Sequence, residues 1–213
     1  MRKKIIVFLL FLLLGIACVT IYKFSRQPLR NIINTVTSPK FNIENAPPVS
    51  IKGEILTMSG DIFYQDRIAT QDAKIRDKVI LKQGETIRTG EDANLTLTFP
   101  NTISIQLFPA TQLEFLQTLP ANFVTRIASG SALFKKEGSN PVSIKAAHLL
   151  INQDSGVLSV GMNNNPQEET NINLNIIEGQ ITVAYNDTNL VSHVQSFDAP
   201  KRITFNDYLR KFE

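Results

Sequence analysis

From residue 51 onward the chain alternates apolar and polar positions in short runs, and each run is broken by Gly, Pro, Asn or Asp. The clearest stretch is 81–109, LKQGETIRTGEDANLTLTFPNTISIQLFP. Ala93, Leu95, Leu97 and Phe99 fall on one face, with Asn94, Thr96 and Thr98 on the other. Pro100 and Asn101 interrupt, and Ile103, Ile105 and Leu107 then alternate with Thr102, Ser104 and Gln106. Period-two patterning on both sides of a turn-forming dipeptide predicts a hairpin with one packed and one wet face. The same reading predicts strands at 51–58, 61–65, 78–81, 85–88, 93–99, 102–107, 112–115, 123–127, 132–134, 142–146, 149–152, 157–160, 172–177, 180–185 and 190–194. So many short strands predict an all-β domain, built as a sandwich, a roll or a solenoid-like stack.

Two segments depart from this period. Residues 5–22 form an uncharged apolar run, long enough as a helix to span roughly 27 Å, about the thickness of a bilayer core. Its length favours an uncleaved transmembrane anchor over residues 1–24. Lipidation at Cys18 and cleavage after Ala17 are the alternatives. At the other end, Thr204 or Asn206 is placed to cap a short terminal helix. Such a helix carries Phe205, Tyr208, Leu209 and Phe212 on one side and Arg210 and Lys211 on the other. It would either cover an open end of the β domain or dock a partner.

Between anchor and domain lies a Pro- and Asn-rich linker, 25–50. Within it Leu29, Ile32, Ile33 and Val36 recur at helical spacing after Pro28, which predicts a juxtamembrane helix with one apolar face. The β-branched residues there argue for a plain tether instead. The β domain is expected over 51–195 and a tail over 196–213. Leu29, Ile32, Ile33, Val36, Tyr208, Leu209 and Phe212 are the candidate partner-binding residues.

Charge changes one conclusion. The net charge of +3 suggests an anionic partner, but Arg2, Lys3, Lys4, Lys23 and Arg26 flank the apolar run and leave the rest of the chain at −2. No basic stripe remains for nucleic acid. The N-terminal basic cluster predicts a cytoplasmic N-terminus and an exported domain. The single cysteine leaves no intramolecular disulfide and no thiolate zinc site.

Glu91–Asp92 and Glu168–Glu169 are adjacent acidic pairs in loops, the ordinary situation of a solvated turn. His148 and His193 lack a second histidine or a carboxylate cluster at metal-ligand spacing. No nucleophile elbow or phosphate-binding loop is present. Neither catalytic residues nor a cofactor or metal is expected. The chain has no Trp and four Tyr, which counts against a polysaccharide-binding groove.

The order of several blocks carries a resemblance. Gly53-Glu54-Ile55 is followed by Leu81-Lys82-Gln83-Gly84-Glu85-Thr86-Ile87-Arg88-Thr89-Gly90 and the hairpin to Leu107. Next come Gly130-Ser131-Ala132-Leu133-Phe134, Val142-Ser143-Ile144-Lys145-Ala146 and Gly156-Val157-Leu158-Ser159-Val160, and last Glu178-Gly179-Gln180-Ile181-Thr182-Val183. Over roughly 53–194 the chain resembles the FecR domain, an all-β module of bacterial envelope proteins. The resemblance implies a β scaffold in which Gly84, Gly90 and Gly179 sit at strand ends that need a positive φ or a tight turn. Members that signal carry a cytoplasmic segment contacting a sigma factor. Only residues 1–4 precede the apolar run here, so that role is not expected to carry over. The resulting expectation is a non-catalytic scaffold or binding module, single-pass in the bacterial inner membrane with its β domain in the periplasm. Its partners would be other envelope proteins, and a homo-oligomer fits as well. A transmembrane signalling subunit is the alternative.

Overall fold

The computed structural model describes residues 46–163 and 170–213. The apolar run, Cys18, the linker residues Leu29, Ile32, Ile33 and Val36, and the Glu168–Glu169 pair lie outside them. Among the described residues no helix is long and apolar enough to cross a membrane.

These residues fold as all-β structure. The strands are β1 (Gly53–Ser59), β2 (Ile62–Gln65), β3 (Ala73–Ile75), β4 (Ile80–Leu81), β5 (Thr86–Thr89), β6 (Asn94–Phe99), β7 (Ile103–Leu107), β8 (Gln112–Leu119) and β9 (Asn122–Lys136). They continue with β10 (Val142–Ala146), β11 (Leu149–Gln153), β12 (Val157–Asn163), β13 (Asn171–Glu178), β14 (Gln180–Asn186), β15 (Ser192–Asp198), β16 (Lys201–Asn206) and β17 (Lys211–Phe212). The expected alternation is visible in burial. Leu95, Leu97 and Phe99 of β6 and Ile103, Ile105 and Leu107 of β7 are buried, and the residues between them are not. Pro100 and Asn101 turn the hairpin as a type II turn requires, with Pro second and a positive φ (56°) at Asn101.

Two sheets share β9. Sheet A runs β4-β1-β6-β7-β9-β12-β13-β16-β17. Sheet B runs β3-β2-β5-β8-β9-β10-β11-β14-β15. Aromatic rings join them face to face. Phe99 of sheet A meets Phe115 and Phe123 of sheet B at centroid separations of 5.0 and 4.7 Å, and Phe205 of sheet A meets Tyr185 of sheet B at 5.0 Å. The inward residues of both sheets form one hydrophobic core. The architecture is therefore a two-layer sandwich.

The sequence predicts two separate strands at 123–127 and 132–134, and they are one strand that changes sheets. The first part of β9 pairs with β8 and β10 in sheet B, and its end pairs with β7 and β12 in sheet A. Gly130, with φ +78°, sits at the crossing, where a Cβ would come within 2.5 Å of the Thr111 backbone. The Thr111 hydroxyl donates to the Ser131 carbonyl at 2.8 Å and accepts from the Ser131 N–H at 2.9 Å. The Thr89 hydroxyl in turn accepts from the Thr111 N–H at 2.9 Å. The threonine of the L-x-x-G-x-x-I-x-T-G block thus fixes the bend in β9. The far end of β9 also acts as the crossover for the parallel β9–β10 pair, which antiparallel hairpin connections alone cannot supply. Gly84 and Gly179 have φ of +85° and +83° as expected. Gly90 does not; its missing side chain instead admits Asp61.

The expected C-terminal helix is not formed. Residues 201–206 pair with β13 as strand β16, and Phe212 returns opposite Phe205 in β17. Asn206 does make the capping contact, accepting the Leu209 N–H at 2.9 Å. Residues 207–210 make only a turn, because Arg210 takes a left-handed φ of +48° and the chain reverses. Residues 196–213 are strands and turns of the same two sheets.

Candidate partner-binding end of the sandwich

Beyond β9 the chain is laid down as hairpins that alternate between the sheets: β10–β11 in B, β12–β13 in A, β14–β15 in B, β16–β17 in A. This winding brings three turns to one end of the sandwich. They are the β10–β11 turn at Ala147 and His148, the β14–β15 turn over 187–191, and the β16–β17 turn over 207–210. Each contains a non-glycine residue at positive φ: Ala147 (45°), Leu190 (64°) and Arg210 (48°). For an L-residue with a Cβ that conformation costs on the order of 1 kcal/mol, so each turn is held by other contacts.

Those contacts are two His–Asp pairs. Asp207 accepts the backbone N–H of His148 at 3.0 Å, and its carboxylate lies 3.0 Å from His148 Nδ1. Asp187 lies 3.0 Å from His193 Nε2 and accepts the N–H groups of Asn189 and Val191 at 2.8 and 2.9 Å. The hydrogen bond to His193, with those backbone N–H groups, holds the Asp187 carboxyl below the usual carboxylate range. The His193 ring stacks on Tyr185 at 5.1 Å. Phe212 is wedged edge-on against Phe205, Phe197 and Tyr185, at 5.1, 5.5 and 5.6 Å.

On this pinned base the apolar tips point outward. Tyr208 is 72% exposed, Leu209 41% and Leu190 75%, with Val191 exposed beside it. Of the candidates predicted at the C-terminus, Tyr208 and Leu209 are presented to solvent and Phe212 anchors the turn from within. The sequence gives no sign of the His148–Asp207 pair, whose members are 59 residues apart, nor of Leu190 as an exposed tip. The Asp187–His193 pair, six residues apart across a turn, carries the only readable signal of the kind.

Two other polar groupings are bonded within themselves. A shallow depression on sheet A is lined by Asn173, Asn175, Arg202, Thr204 and Glu213. There Thr204 donates to Asn173 at 2.9 Å and Arg202 to Asn175 at 3.3 Å. Glu85 is buried in the turn before β5, where it accepts the Lys82 N–H at 2.6 Å and bonds the Tyr64 hydroxyl. Burial raises the pKa of Glu85, and burial together with the Glu85 carboxylate raises that of Tyr64. The buried Glu85, bonded to the half-buried Tyr64, closes the turn. Glu91 and Asp92 are exposed in the turn before β6.

No family model matches the chain, and no curated protein does. Two crystal structures of a protein from Parabacteroides distasonis ATCC 8503, described as a candidate anti-sigma factor and determined at 2.50 and 1.65 Å, are similar to part of it. Each aligns with a TM-score of 0.49 at 14% identity, over 60% of this chain and 57% of that one. The chain thus spans little more than half the length of these structural neighbours.

Proposed function

We propose that this chain is a FecR-like, non-catalytic scaffold, anchored in the bacterial inner membrane by its N-terminal apolar run and presenting its sandwich in the periplasm. There it docks another envelope protein through the end that carries Tyr208, Leu209, Leu190 and Val191. The observation that carries the reading is the rigid presentation of these side chains. Three turns, each with a strained non-glycine residue, are pinned by two His–Asp pairs and by Phe212, while the apolar tips remain in water. Exposed apolar side chains on pre-ordered backbone lose little conformational entropy on binding, and aromatic tips of this kind serve as anchors in partner pockets. The membrane placement rests on residues 5–22 and their basic flanks.

The test is cross-linking in membranes from a photo-reactive group at Leu209, followed by purification of the full chain. A discrete adduct with another envelope protein is expected, and it should vanish on Tyr208→Ser with Leu190→Ser. Those substitutions should leave the unfolding free energy within about 0.5 kcal/mol, because both sites are exposed. Recovery of the protein alone would overturn the scaffold reading. An adduct that survives the double substitution would move the docking surface elsewhere. If replacing the apolar run by an unrelated membrane helix abolished the cellular phenotype while the adduct persisted, the chain would be a transmembrane signalling subunit instead.

A further inference from the structure

Among the described residues, four strands end the two sheets: β4 and β17 in sheet A, β3 and β15 in sheet B. The first three are two or three residues long; β4 covers only Gly53 and Glu54 of β1, whose next residues are bulged against β6, and β17 only Phe205 and Asn206 of β16, which begins with Lys201 and Arg202. β15 has seven residues and pairs with β14 along its whole length without a register shift. Edge strands are ordinarily protected by shortness, lysine, proline or a bulge. β15, Ser192-His193-Val194-Gln195-Ser196-Phe197-Asp198, has none of these, and its one carboxylate is at the end.

The hydrogen bonds that bracket the ladder identify its outward groups. The Asp187 N–H donates to the Val191 carbonyl at 3.0 Å, and the Ala199 N–H to the Gly179 carbonyl at 2.9 Å. In an antiparallel pair the bonded positions alternate. Val191, His193, Gln195, Phe197 and Ala199 therefore bond toward β14. Ser192, Val194 and Ser196 direct their N–H and C=O groups to the open side. Their side chains share the outer face of sheet B, because His193 and Phe197 turn inward onto Tyr185 and Phe212. The outward positions along the strand are Ser192, Val194, Ser196 and Asp198. The central three, Ser-Val-Ser, read the same in both directions about Val194, and Asp198 would fall opposite Leu190 of a second copy, beyond the strand's start. Val194 also ends an apolar strip that crosses the sheet in register, Leu150 to Ala184 to Val194. Leu150 is 39% exposed and Val194 68%.

We infer that β15 pairs with β15 of a second copy of this chain, antiparallel, about a two-fold axis at Val194. Val194 then meets Val194 of the second copy, and Ser192 meets Ser196. Each such pair exchanges two N–H···O bonds, while the Ser192 and Ser196 hydroxyls keep their bonds to Asn186 and Thr182 within each copy. The apolar strip continues into its own mirror copy. No like charges are brought together, because the paired stretch is neutral. The self-complementary Ser192-Val194-Ser196 core, with the apolar strip ending at Val194 and Asp198 kept away from its own copy, is what selects a second copy over an unlike strand. Edge pairing of this length buries less than the roughly 1,200 Å² of a standard interface, so the dimer is expected to dissociate in the micromolar range or above.

The test uses the full chain with Cys18→Ser. Adding Val194→Cys places two thiols about 5.5 Å apart at Cα across a hydrogen-bonded pair, within disulfide reach. Mild oxidation should give a covalent homodimer at least tenfold faster than Leu56→Cys, an exposed position on β1. By sedimentation the unmodified chain should dimerise with concentration, and Val194→Lys should weaken that dimer at least tenfold without moving the unfolding midpoint. The inference is overturned if Val194→Cys cross-links no faster than Leu56→Cys. It is equally overturned if Val194→Lys leaves the dimer unchanged, or if the thiol is captured by a different protein or by a segment of its own chain. Loss of the envelope partner at Leu209 would not affect these readouts.

Discussion

The strands before β9 and those after it are laid out alike, four in each sheet on either side of the shared strand, yet the two sides end differently. The first side closes on edges of two and three residues, β4 and β3, around a fully buried ring cluster of Phe99, Phe115 and Phe123. The second side ends on the seven-residue β15 and on a cluster in which only Phe205 is fully buried, while Tyr185, Phe197 and Phe212 are half-buried and a histidine stacks on Tyr185. Its turns carry strained residues and exposed apolar tips, which the first side concentrates less. The first side buries its apolar residues, and the second is the side on which the proposed docking surface lies. The same β-hairpin chemistry builds both, and the difference lies in where the apolar residues stop: inside the core, or at an edge and a tip.

Phe99→Ala probes that division most severely. It removes the ring that bridges the sheets, and is expected to cost about 3–5 kcal/mol by denaturant unfolding. Phe212→Ala should cost only about 1–2 kcal/mol, since the ring is half-buried. It should also release the β16–β17 turn, raising amide exchange at Leu209 and Glu213, whose N–H groups bond Asn206 and Thr204, while β6 and β7 stay protected. Equal costs for the two substitutions would erase the distinction between the sides.

The smallest effect is in pH dependence, and its sign differs between the sides. Glu85, on the first side, has a carboxyl raised by burial above its ordinary 4.5. The folded chain binds that proton more tightly, so the contribution is full below 4.5 and is lost as pH rises through the raised value. Asp187, on the second side, is lowered from 3.8 by His193. Its contribution is present above 3.8 and is lost as pH falls through the lowered value. Glu85→Gln should therefore flatten the stability profile on its rising-pH side, and Asp187→Asn should flatten its acid limb, each read from unfolding midpoints across pH. The opposite assignment would mean that the two carboxylates do not hold their turns as described.

Much of the scaffold was legible because period-two alternation is a local property. Residues 93–107 needed no more than their own pattern and the Pro100–Asn101 break. The pattern of β9 falls into two pieces because Gly130 interrupts it, and only its neighbours, Thr111 above all, make one bent strand of it. The C-terminal residues were singled out, but as the face of a helix. Phe205, Tyr208, Leu209 and Phe212 fit a helical period, and Asn206 is a sound cap. β16 was decided instead by its pairing with β13, some 30 residues away, which satisfies a whole row of backbone groups that a lone helical turn leaves open.

The amino-acid sequence by itself determined the all-β class, the inward faces of the strands, and the positive-φ turns at Gly84 and Gly179, since each follows from neighbours along the chain. Tertiary structure alone decided that β9 belongs to both sheets, that three turns meet at one end, that His148 reaches Asp207, and that β15 is left as the long open edge. Those are relations between residues far apart in sequence. They exist only once hairpins have been stacked, and no local period encodes the order of stacking.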